Sequence, residues 1–236
     1  MIQYEEKDPR FPEMWIPLSV VHKESGETMI TAHPSLKAIA EKLEQDGVSE
    51  EACEKAFLSA KEKAEEEGYV FSEEDSGFCD VFLQGQDTFA DPICQTSDGR
   101  LPVLLSEADT DGDSDDPILP LCTPDLPAFG IKEENGRLLA VACTNPREED
   151  AFGPYAQCRE VGIETRPKVR GNGYAALCLK ALLAELRKRK EIGMLVCSRT
   201  NTASRRCAEK AGMKCDGWMR FCVCFTEEEE EEEYGV

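Results

Sequence analysis

Several features that would narrow the function of a protein are scarce or missing in this sequence. No apolar run approaches the ~20 residues that a membrane-spanning helix needs. The first residues, Met1 to Arg10, are charged and lack the apolar core of a signal peptide. His22 and His33 are the only histidines, which is too few for a clustered zinc site. We therefore expect a cytoplasmic protein with no membrane partner and no bound metal.

Twelve cysteines are present, but they do not follow a disulfide or metal pattern. They are scattered singly, no C-x-x-C occurs, and only Cys222 and Cys224 lie close together. Cys178 and Cys197 fall on predicted core faces, where a free cysteine behaves as a small apolar residue. With no export signal, reduced thiols are expected. A catalytic Cys–His pair is the alternative that remains open.

Charge is plentiful and unevenly placed. The chain has 236 residues, 41% of them hydrophobic and 32% charged, with a net charge of −21. This length and composition indicate a globular chain with one core, or one core and a smaller appended domain. Between Cys158 and Phe225, however, 15 lysines and arginines face 6 acidic residues. That basic stretch suits an anionic ligand, and since no nucleic-acid recognition motif occurs, we expect no nucleic acid.

Hydrophobic periodicity and turn residues predict a mixed α/β chain with a largely antiparallel sheet. Ser49 is a predicted N-cap, and Gly47 and Gly68 are predicted to close the two early helices. Asn135-Gly136 and Asp216-Gly217 predict hairpin turns. The predicted helices are 36–45, 50–67, 173–190 and 203–211, and the predicted strands are 16–22, 28–32, 69–71, 80–83, 128–132, 138–144, 159–165, 193–197 and a hairpin over 213–225.

The acidic segment from Glu107 to Asp116 is similar in composition to a calcium loop. An EF-hand loop that starts at Asp109 requires glycine and glutamate where Ser114 and Pro120 stand. We therefore interpret this segment as a solvated linker or surface loop.

The most informative stretch is Arg170-Gly171-Asn172-Gly173-Tyr174-Ala175, between a predicted strand and a predicted helix. Glycines allow positive φ and close approach of a bulky anion, and the helix start directs its unpaired N–H groups at the same place. A Rossmann loop needs a third glycine where Ala176 stands, and no Gly-Lys-Ser/Thr of a Walker loop occurs. The stretch predicts a site for a phosphorylated cofactor.

Read as R-x-x-G-x-A, with Pro167 three residues upstream, this stretch resembles motif A of the GNAT superfamily of N-acetyltransferases. Asn201-Thr202-Ala203-Ser204 and Lys210-Ala211-Gly212-Met213 resemble the family's next segment in order and spacing. The resemblance covers about residues 125–225. It implies an α+β fold with a mixed, mostly antiparallel sheet and helices on both faces. The expected organisation is an N-terminal segment at 1–106, a linker at 107–124, a GNAT-like domain at 125–226 and a disordered acidic tail at 227–236.

The resemblance also implies that the cofactor is acetyl-CoA. The parallel strands 159–165 and 193–197 would splay apart, and the pantetheine arm would enter the gap between them. Backbone groups of Ile163 and Thr165 would bond the arm and polarise the acetyl carbonyl. Asn201 would bond the pantetheine amides, or serve as a helix N-cap, and Ser204 could assist either. Arg205 and Arg206 are candidates for the adenosine phosphate, with a solvated helix face as the alternative. The diphosphate would be held by the N–H groups of Gly171, Asn172, Gly173, Tyr174 and Ala175, with Arg170 beside them.

Acyl transfer to an amine needs a base for the ammonium proton and an acid for the leaving thiolate. Glu160 is the candidate catalytic base, and Glu164 is the runner-up. In many members of the family a tyrosine supplies this acid, seven residues beyond the motif asparagine. This chain has Ala208 at that position. The proton donor is therefore another group, such as Tyr174 or Tyr155, or it is water, or the thiolate leaves unassisted.

The predicted activity is transfer of an acetyl group to a primary amine, on a small molecule or a peptide. The acidic N-terminal half, which attracts cations, agrees with such an acceptor. The alternative is a non-catalytic acyl-CoA sensor or an acidic interaction protein on the same fold. The sequence does not indicate an oligomeric state.

Overall fold

The computed structural model describes residues 1–7, 14–73, 75–85, 96, 98–106, 109, 118, 126–145 and 153–226. The chain divides into two compact units. The first comprises residues 1–80, 152–154 and 217–236, and the second comprises residues 81–151 and 155–216. Strands β5 and β11 contribute residues to both. In chain order the strands and α-helices of the described residues are β1 (Ile2–Tyr4), β2 (Met14–Lys23), β3 (Thr28–Ala32), α1 (Lys37–Asp46), α2 (Glu50–Glu66), β4 (Tyr69–Phe71), β5 (Phe78–Gln84), β6 (Val103–Leu104), β7 (Ala128–Lys132), β8 (Leu138–Thr144), β9 (Arg159–Thr165), α3 (Tyr174–Lys188), β10 (Gly193–Ser198), α4 (Thr202–Lys210) and β11 (Met213–Thr226).

The first unit packs α1 and α2 on a small mixed sheet. Strand β2 pairs antiparallel with β3 and β11, β1 pairs parallel with β3, and β4 pairs antiparallel with β11. The core of this unit contains buried residues of β2, β3 and β11. Helix α2 packs on it with Cys53, Ala56, Phe57, Ala60 and Ala64. Their 3-4 spacing explains why this segment forms an amphipathic helix.

The second unit is a sheet covered by α3. Strands β6, β7, β8 and β9 pair antiparallel in sequence order, and β10 pairs parallel with β9. The buried face of α3 carries Cys178, Leu179, Leu182, Leu183 and Leu186, each with no exposed surface. These residues pack with side chains of β7 to β10, so the core fixes where the helix begins relative to the strand ends.

One bridge ties three elements of this unit together. The Gln84 side chain of β5 donates to the Leu183 carbonyl of α3 at 3.0 Å and accepts from the Gly193 N–H of β10 at 3.1 Å. Its amide therefore satisfies two backbone groups that would otherwise need other partners.

Most predicted elements agree with the structure to within two residues, and the mostly antiparallel mixed sheet of the α+β class is confirmed. The predicted hairpin at Asp216-Gly217 is wrong. Residues 213–226 form one strand, in which Gly217 and Trp218 pair with Lys23 and His22 of β2. Pairing along a long neighbouring strand outweighs the local turn preference of an Asp-Gly step. The short strands β1 and β6 were not predicted.

Some predicted segments fall largely outside the described residues. The predicted tail at 227–236 lies outside them, as does the linker at 107–124 apart from Asp109 and Ile118. Within the described ranges, no helix combines the length and apolar character needed to cross a bilayer. In those ranges no disulfide joins the cysteines, and no three acidic, histidine or cysteine side chains are grouped to hold a metal.

Candidate functional site

The parallel strands β9 and β10 pair over only two positions, Arg159 with Gly193 and Glu160 with Met194. Strand β9 nevertheless stays paired with β8 from Val161 to Thr165. The two strands therefore separate after Glu160, and beyond it no strand of the described residues pairs with this edge of β9. A gap of this kind exposes backbone donors and acceptors to a ligand.

The register of β9 determines which backbone groups lie at that gap. Asn145 N–H bonds the Glu160 carbonyl, and Arg166 N–H bonds the Leu139 carbonyl. In an antiparallel pair such bonds alternate, so the N–H and C=O groups of Ile163 and Thr165 are directed away from β8. The two predicted cofactor-bonding residues thus present their backbone to the gap.

A tight turn with two left-handed glycines connects β9 to α3. Gly171 has φ of 90° and Gly173 has φ of 80°, a conformation that L-residues with side chains rarely adopt. Gly173 is the N-cap of α3, and no side chain in the described part of the chain caps the helix. The first intrahelical bond runs from Leu177 N–H to the Gly173 carbonyl, and the first turn contains no acidic residue. The preceding N–H groups and the positive helix end are therefore available to an anion.

These two features open into one cavity of about 510 Å³. This volume lies within the range of small-molecule sites. Nine of the eleven predicted site residues line this cavity. From β9 and the turn they are Ile163, Thr165, Arg170 and Gly171, from the start of α3 Gly173, Tyr174 and Ala175, and from the start of α4 Asn201 and Ser204. The other two, Asn172 and Glu160, do not line it.

Asn172 instead lines an adjoining, smaller cavity of about 330 Å³. Its side-chain amide donates to the Val169 carbonyl at 3.1 Å, which closes the turn.

Arg170 folds back onto the end of β9. Its Nε donates to the Thr165 carbonyl at 3.1 Å, and a terminal nitrogen lies 3.2 Å from Glu164 Oε1. The same carboxylate oxygen accepts from the Thr165 N–H at 2.8 Å. Since this ion pair is well exposed, it adds little to stability, and the guanidinium can exchange partners at low cost.

Asn201 caps α4, which was one of its two predicted functions. Its Oδ1 accepts from the Ser204 N–H at 3.0 Å. The oxygen is therefore used by the helix, and the Nδ2 group is the part of this side chain left to bond a ligand in the cavity.

One face of helix α4 also lines the cavity, and the sequence motifs predicted only part of that face. Ala203, Arg206, Cys207 and Lys210 all line the cavity, and of these only Arg206 was considered as a ligand contact. Their 3-4 spacing was the signal that could have found them, because it places them on one helix face. Burial raises the pKa of the Cys207 thiol to about 12, so this residue is neutral near pH 7.

Glu160 lies at the last paired position before the gap. Its carboxylate accepts from the Asn145 side-chain amide at 2.8 Å. Ala208, which stands at the position expected for a tyrosine general acid, is fully buried.

Both tyrosines that were considered as proton donors bond to aspartates. The Tyr174 hydroxyl donates to Asp98 at 2.8 Å, and the Tyr155 hydroxyl donates to Asp216 at 3.1 Å. Their hydroxyl protons are thus already engaged within the protein.

Comparison with known proteins agrees with this geometry. A model of the acetyltransferase (GNAT) family matches residues 100–213. Comparison with curated protein sequences found no match.

Two solved structures with TM-scores above 0.5 show the same fold. A tandem GNAT protein from the clavulanic acid biosynthesis pathway is 11% identical, with a TM-score of 0.52, over 89% of this chain and 63% of its own. A Drosophila protein is 16% identical, with a TM-score of 0.51, over 72% of this chain and 57% of its own. A GNAT-family protein of Novosphingobium aromaticivorans is 20% identical, with a TM-score of 0.47, over 68% of each chain. This chain therefore spans less than two thirds of the first two structures.

The matched segment contains the separating strands, the glycine turn and the α4 face that together form the cavity. Residues 100–213 of this chain therefore match the acetyltransferase (GNAT) family, and the chain has the GNAT fold.

Proposed function

We propose that the protein transfers an acetyl group from acetyl-CoA directly to a primary amine. One observation supports this most: the uncapped N–H groups of α3 and the unpaired edge of β9 open into the same cavity. The first feature suits a diphosphate, and the second suits an extended chain with amide groups. Acetyl-CoA contains both, joined end to end.

The chemistry of the cavity fits the phosphate end of this co-substrate. The N–H groups from Gly171 to Ala175 would hold the diphosphate, as helix starts hold anions elsewhere. Arg170, Arg206 and Lys210 add three positive charges to the same lining. Lysine and arginine provide charge-assisted hydrogen bonds to phosphate oxygens.

The edge of β9 would bind the pantetheine arm and the acetyl group of acetyl-CoA. Backbone groups of Thr165 would exchange their bonds to Glu164 and Arg170 for bonds to the pantetheine amides, and the Nδ2 group of Asn201 would bond the same arm. The Ile163 N–H would polarise the acetyl carbonyl, because a fixed donor stabilises the oxyanion that develops there. This contact depends on backbone geometry and is insensitive to the side chain at 163.

Acetyl-CoA supplies a thioester, whose C–S bond breaks as the acceptor nitrogen forms the C–N bond. Glu160 is our proposed base for the ammonium proton, and the Asn145 amide keeps its carboxylate oriented. Because the hydroxyls of Tyr174 and Tyr155 already donate to aspartates, we propose that water protonates the thiolate.

The acceptor we propose is a primary amine on a small molecule or peptide. Measurement of thiol release from acetyl-CoA across amines, polyamines and lysine-containing peptides tests the proposal. We expect release that depends on the amine and exceeds hydrolysis of the thioester. If acetyl-CoA binds tightly but no amine promotes release, the protein is an acyl-CoA sensor and the proposed reaction is wrong.

A substitution in the glycine turn tests the cofactor site itself. We expect Gly173→Glu to abolish acetyl-CoA binding by calorimetry, because it places a carboxylate and a strained residue at the anion site. Gly136→Glu is the matched control, since Gly136 also has positive φ, 89°, but lies in the β7–β8 turn. Circular dichroism of both variants should match the unmodified protein. Equal affinity in the two variants would remove the phosphate assignment.

A further inference from the structure

Tyr174 occupies two environments at once. It is the first residue of α3, its ring belongs to the core beneath that helix, and only 6% of its surface is exposed. The same residue lines the larger cavity at the start of the helix. The hydroxyl emerges from the core and donates to Asp98 Oδ2 at 2.8 Å. A side chain that is held at both ends has little freedom to shift, and neither has the backbone attached to it.

Asp98 belongs to a turn outside α3 that is closed by hydrogen bonds among its own residues. The Thr96 N–H bonds the Arg100 carbonyl at 3.0 Å, and the Arg100 N–H bonds Thr96 Oγ1 at 2.7 Å. The Asp98 carboxylate accepts from the Thr96 hydroxyl and from Arg100 Nε. We call Thr96 with residues 98–100 the anchoring turn.

The anchoring turn is fixed to the sheet by Arg100. A terminal nitrogen of its guanidinium donates to the Lys132 carbonyl, at the end of β7, at 2.7 Å. A chain of hydrogen bonds thus runs from the sheet through Arg100 and Asp98 to the hydroxyl of Tyr174. Every link is a bond to a charged group, which is the stronger class of hydrogen bond.

The carboxylate stays ionised throughout the working pH range. Hydrogen bonds from Thr96, Tyr174 and Arg100 hold the pKa of Asp98 well below its ordinary value. The same bond to Asp98 raises the pKa of the Tyr174 hydroxyl, so the tyrosine remains the donor. The polarity of this contact therefore does not change near neutral pH.

We propose that Asp98 is a positioning residue for the acetyl-CoA site, acting through the Tyr174 hydroxyl to hold the start of α3 and its N–H groups in place. The proposal rests on the proposed function. Asp98 lies outside the segment matched by the family model, which begins at residue 100, and none of the predicted site residues lies in the anchoring turn. Asp98 does not line either cavity itself, so its effect on the ligand is indirect.

The sign of the expected effect separates positioning from simple electrostatics. Removing a negative charge near an anion site strengthens anion binding when charge alone matters. Loss of the bond to Tyr174 acts in the opposite direction, because N–H groups that are no longer held bind the diphosphate less well. A weaker affinity in an Asp98 variant is therefore not a charge effect.

The experiment is a double-mutant cycle with Asp98→Ala and Tyr174→Phe, measured by calorimetric titration of acetyl-CoA. Each single variant should bind about three- to tenfold more weakly, as expected for one lost hydrogen bond to a charged group in a partly exposed place. The double variant should be no weaker than the weaker single variant, because both changes remove the same bond. The kcat of Asp98→Ala at saturating acetyl-CoA should stay within about twofold of the unmodified protein, since binding is weakened and Asp98 touches neither cavity.

Asp75→Ala is the matched control, since Asp75 is also an aspartate in a tight turn, where it accepts from the Ser72 hydroxyl at 2.7 Å. Its affinity should be unchanged. Unchanged affinity in Tyr174→Phe, or losses that multiply in the double variant, would overturn the proposal.

Hydrogen exchange of the unliganded protein provides a reading that needs no cofactor. Amides of residues 171–177 should exchange faster in Asp98→Ala and Tyr174→Phe, while those of β10 keep their rates. If the unmodified protein binds no acetyl-CoA, the proposed function fails, and exchange alone then decides whether Asp98 holds this helix start. Unchanged exchange at 171–177 overturns the positioning function in either case.

Discussion

Individual side chains determine the electrostatics of the cavity. Arg170 comes from the turn, whereas Arg206 and Lys210 are four residues apart on α4, so the positive charge approaches from two directions. Cys207 lies between the latter two on the same helix and, with a pKa raised to about 12 by burial, adds no opposing charge near pH 7. Glu164 also lines the cavity and pairs with Arg170, so the three cations outnumber the carboxylate and the lining favours a ligand with several negative charges.

We expect Arg206→Ala and Lys210→Ala each to weaken acetyl-CoA binding by about three- to tenfold at low salt, and by less at high salt, because exposed charges are screened. Calorimetric titrations at two ionic strengths measure the effect. Lys188→Ala is the control, since this lysine on α3 is highly exposed and does not line the cavity. A loss in the control as large as in the α4 variants would show that only net charge matters.

At this scale the sequence predicted the glycine turn and Asn201 as site residues, because motif spacing along the chain identifies them. It did not predict Asp98 as a partner of Tyr174. The two residues are 76 positions apart, and no local pattern connects them. Nor did it predict that Glu160 would bond Asn145, a contact that depends on how β8 and β9 are paired.

The helices illustrate how far local signals reach at the scale of elements. Ser49 caps α2 as predicted, and its hydroxyl accepts from the Ala52 N–H at 3.2 Å. Gly47 and Gly68, which were predicted to close α1 and α2, both have positive φ. Caps and closing glycines involve neighbours within four residues, so the sequence is sufficient to locate them.

Ser49→Ala should lower the free energy of unfolding by about 1 kcal/mol, the usual cost of losing a helix N-cap. Chemical denaturation followed by circular dichroism measures it. Ser59→Ala serves as the control: Ser59 lies within α2, where its hydroxyl bonds only the Lys55 carbonyl of the same helix. That change should be neutral or slightly stabilising, since alanine is the better helix former. A control loss equal to that of Ser49→Ala would contradict the capping assignment.

Strand β11 shows where local signals fail. An Asp-Gly step favours a turn, yet residues 213–226 remain extended. In the first unit β2 pairs with this strand from Gly217 to Phe225 and holds it extended. The separation of β9 from β10 is likewise invisible in the sequence of either strand. Both segments have ordinary strand character, and their pairing ends only because of how they are placed in the sheet.

Charge acts on the molecule as a whole. A net charge of −21 creates self-repulsion in the compact state, while the stretch that we propose to bind the co-substrate is basic. Salt therefore has opposite effects on the two properties. It screens the repulsion and stabilises the fold, and it screens the attraction and weakens anion binding.

We expect the Tm of the unliganded protein to rise by several degrees between about 10 mM and about 300 mM NaCl, while acetyl-CoA affinity falls over the same range. Thermal unfolding and calorimetry measure the two effects. Replacement of Glu227–Glu233 by glutamine removes seven of the negative charges and should reduce the increase in Tm. A Tm that falls with salt would show that attractive charge pairs outweigh the net repulsion.

The sequence by itself determined the elements, their order, the glycine turn and, through motif resemblance, the family, because these depend on neighbours a few residues apart. Motif resemblance also predicted that β9 and β10 separate. Only the tertiary structure decided that they do so after two pairs, that α4 adds a basic face to the cavity, and that Asp98 bonds Tyr174. These features arise when distant segments pack together, and their positions follow from the shared core and sheet register, which no local pattern encodes.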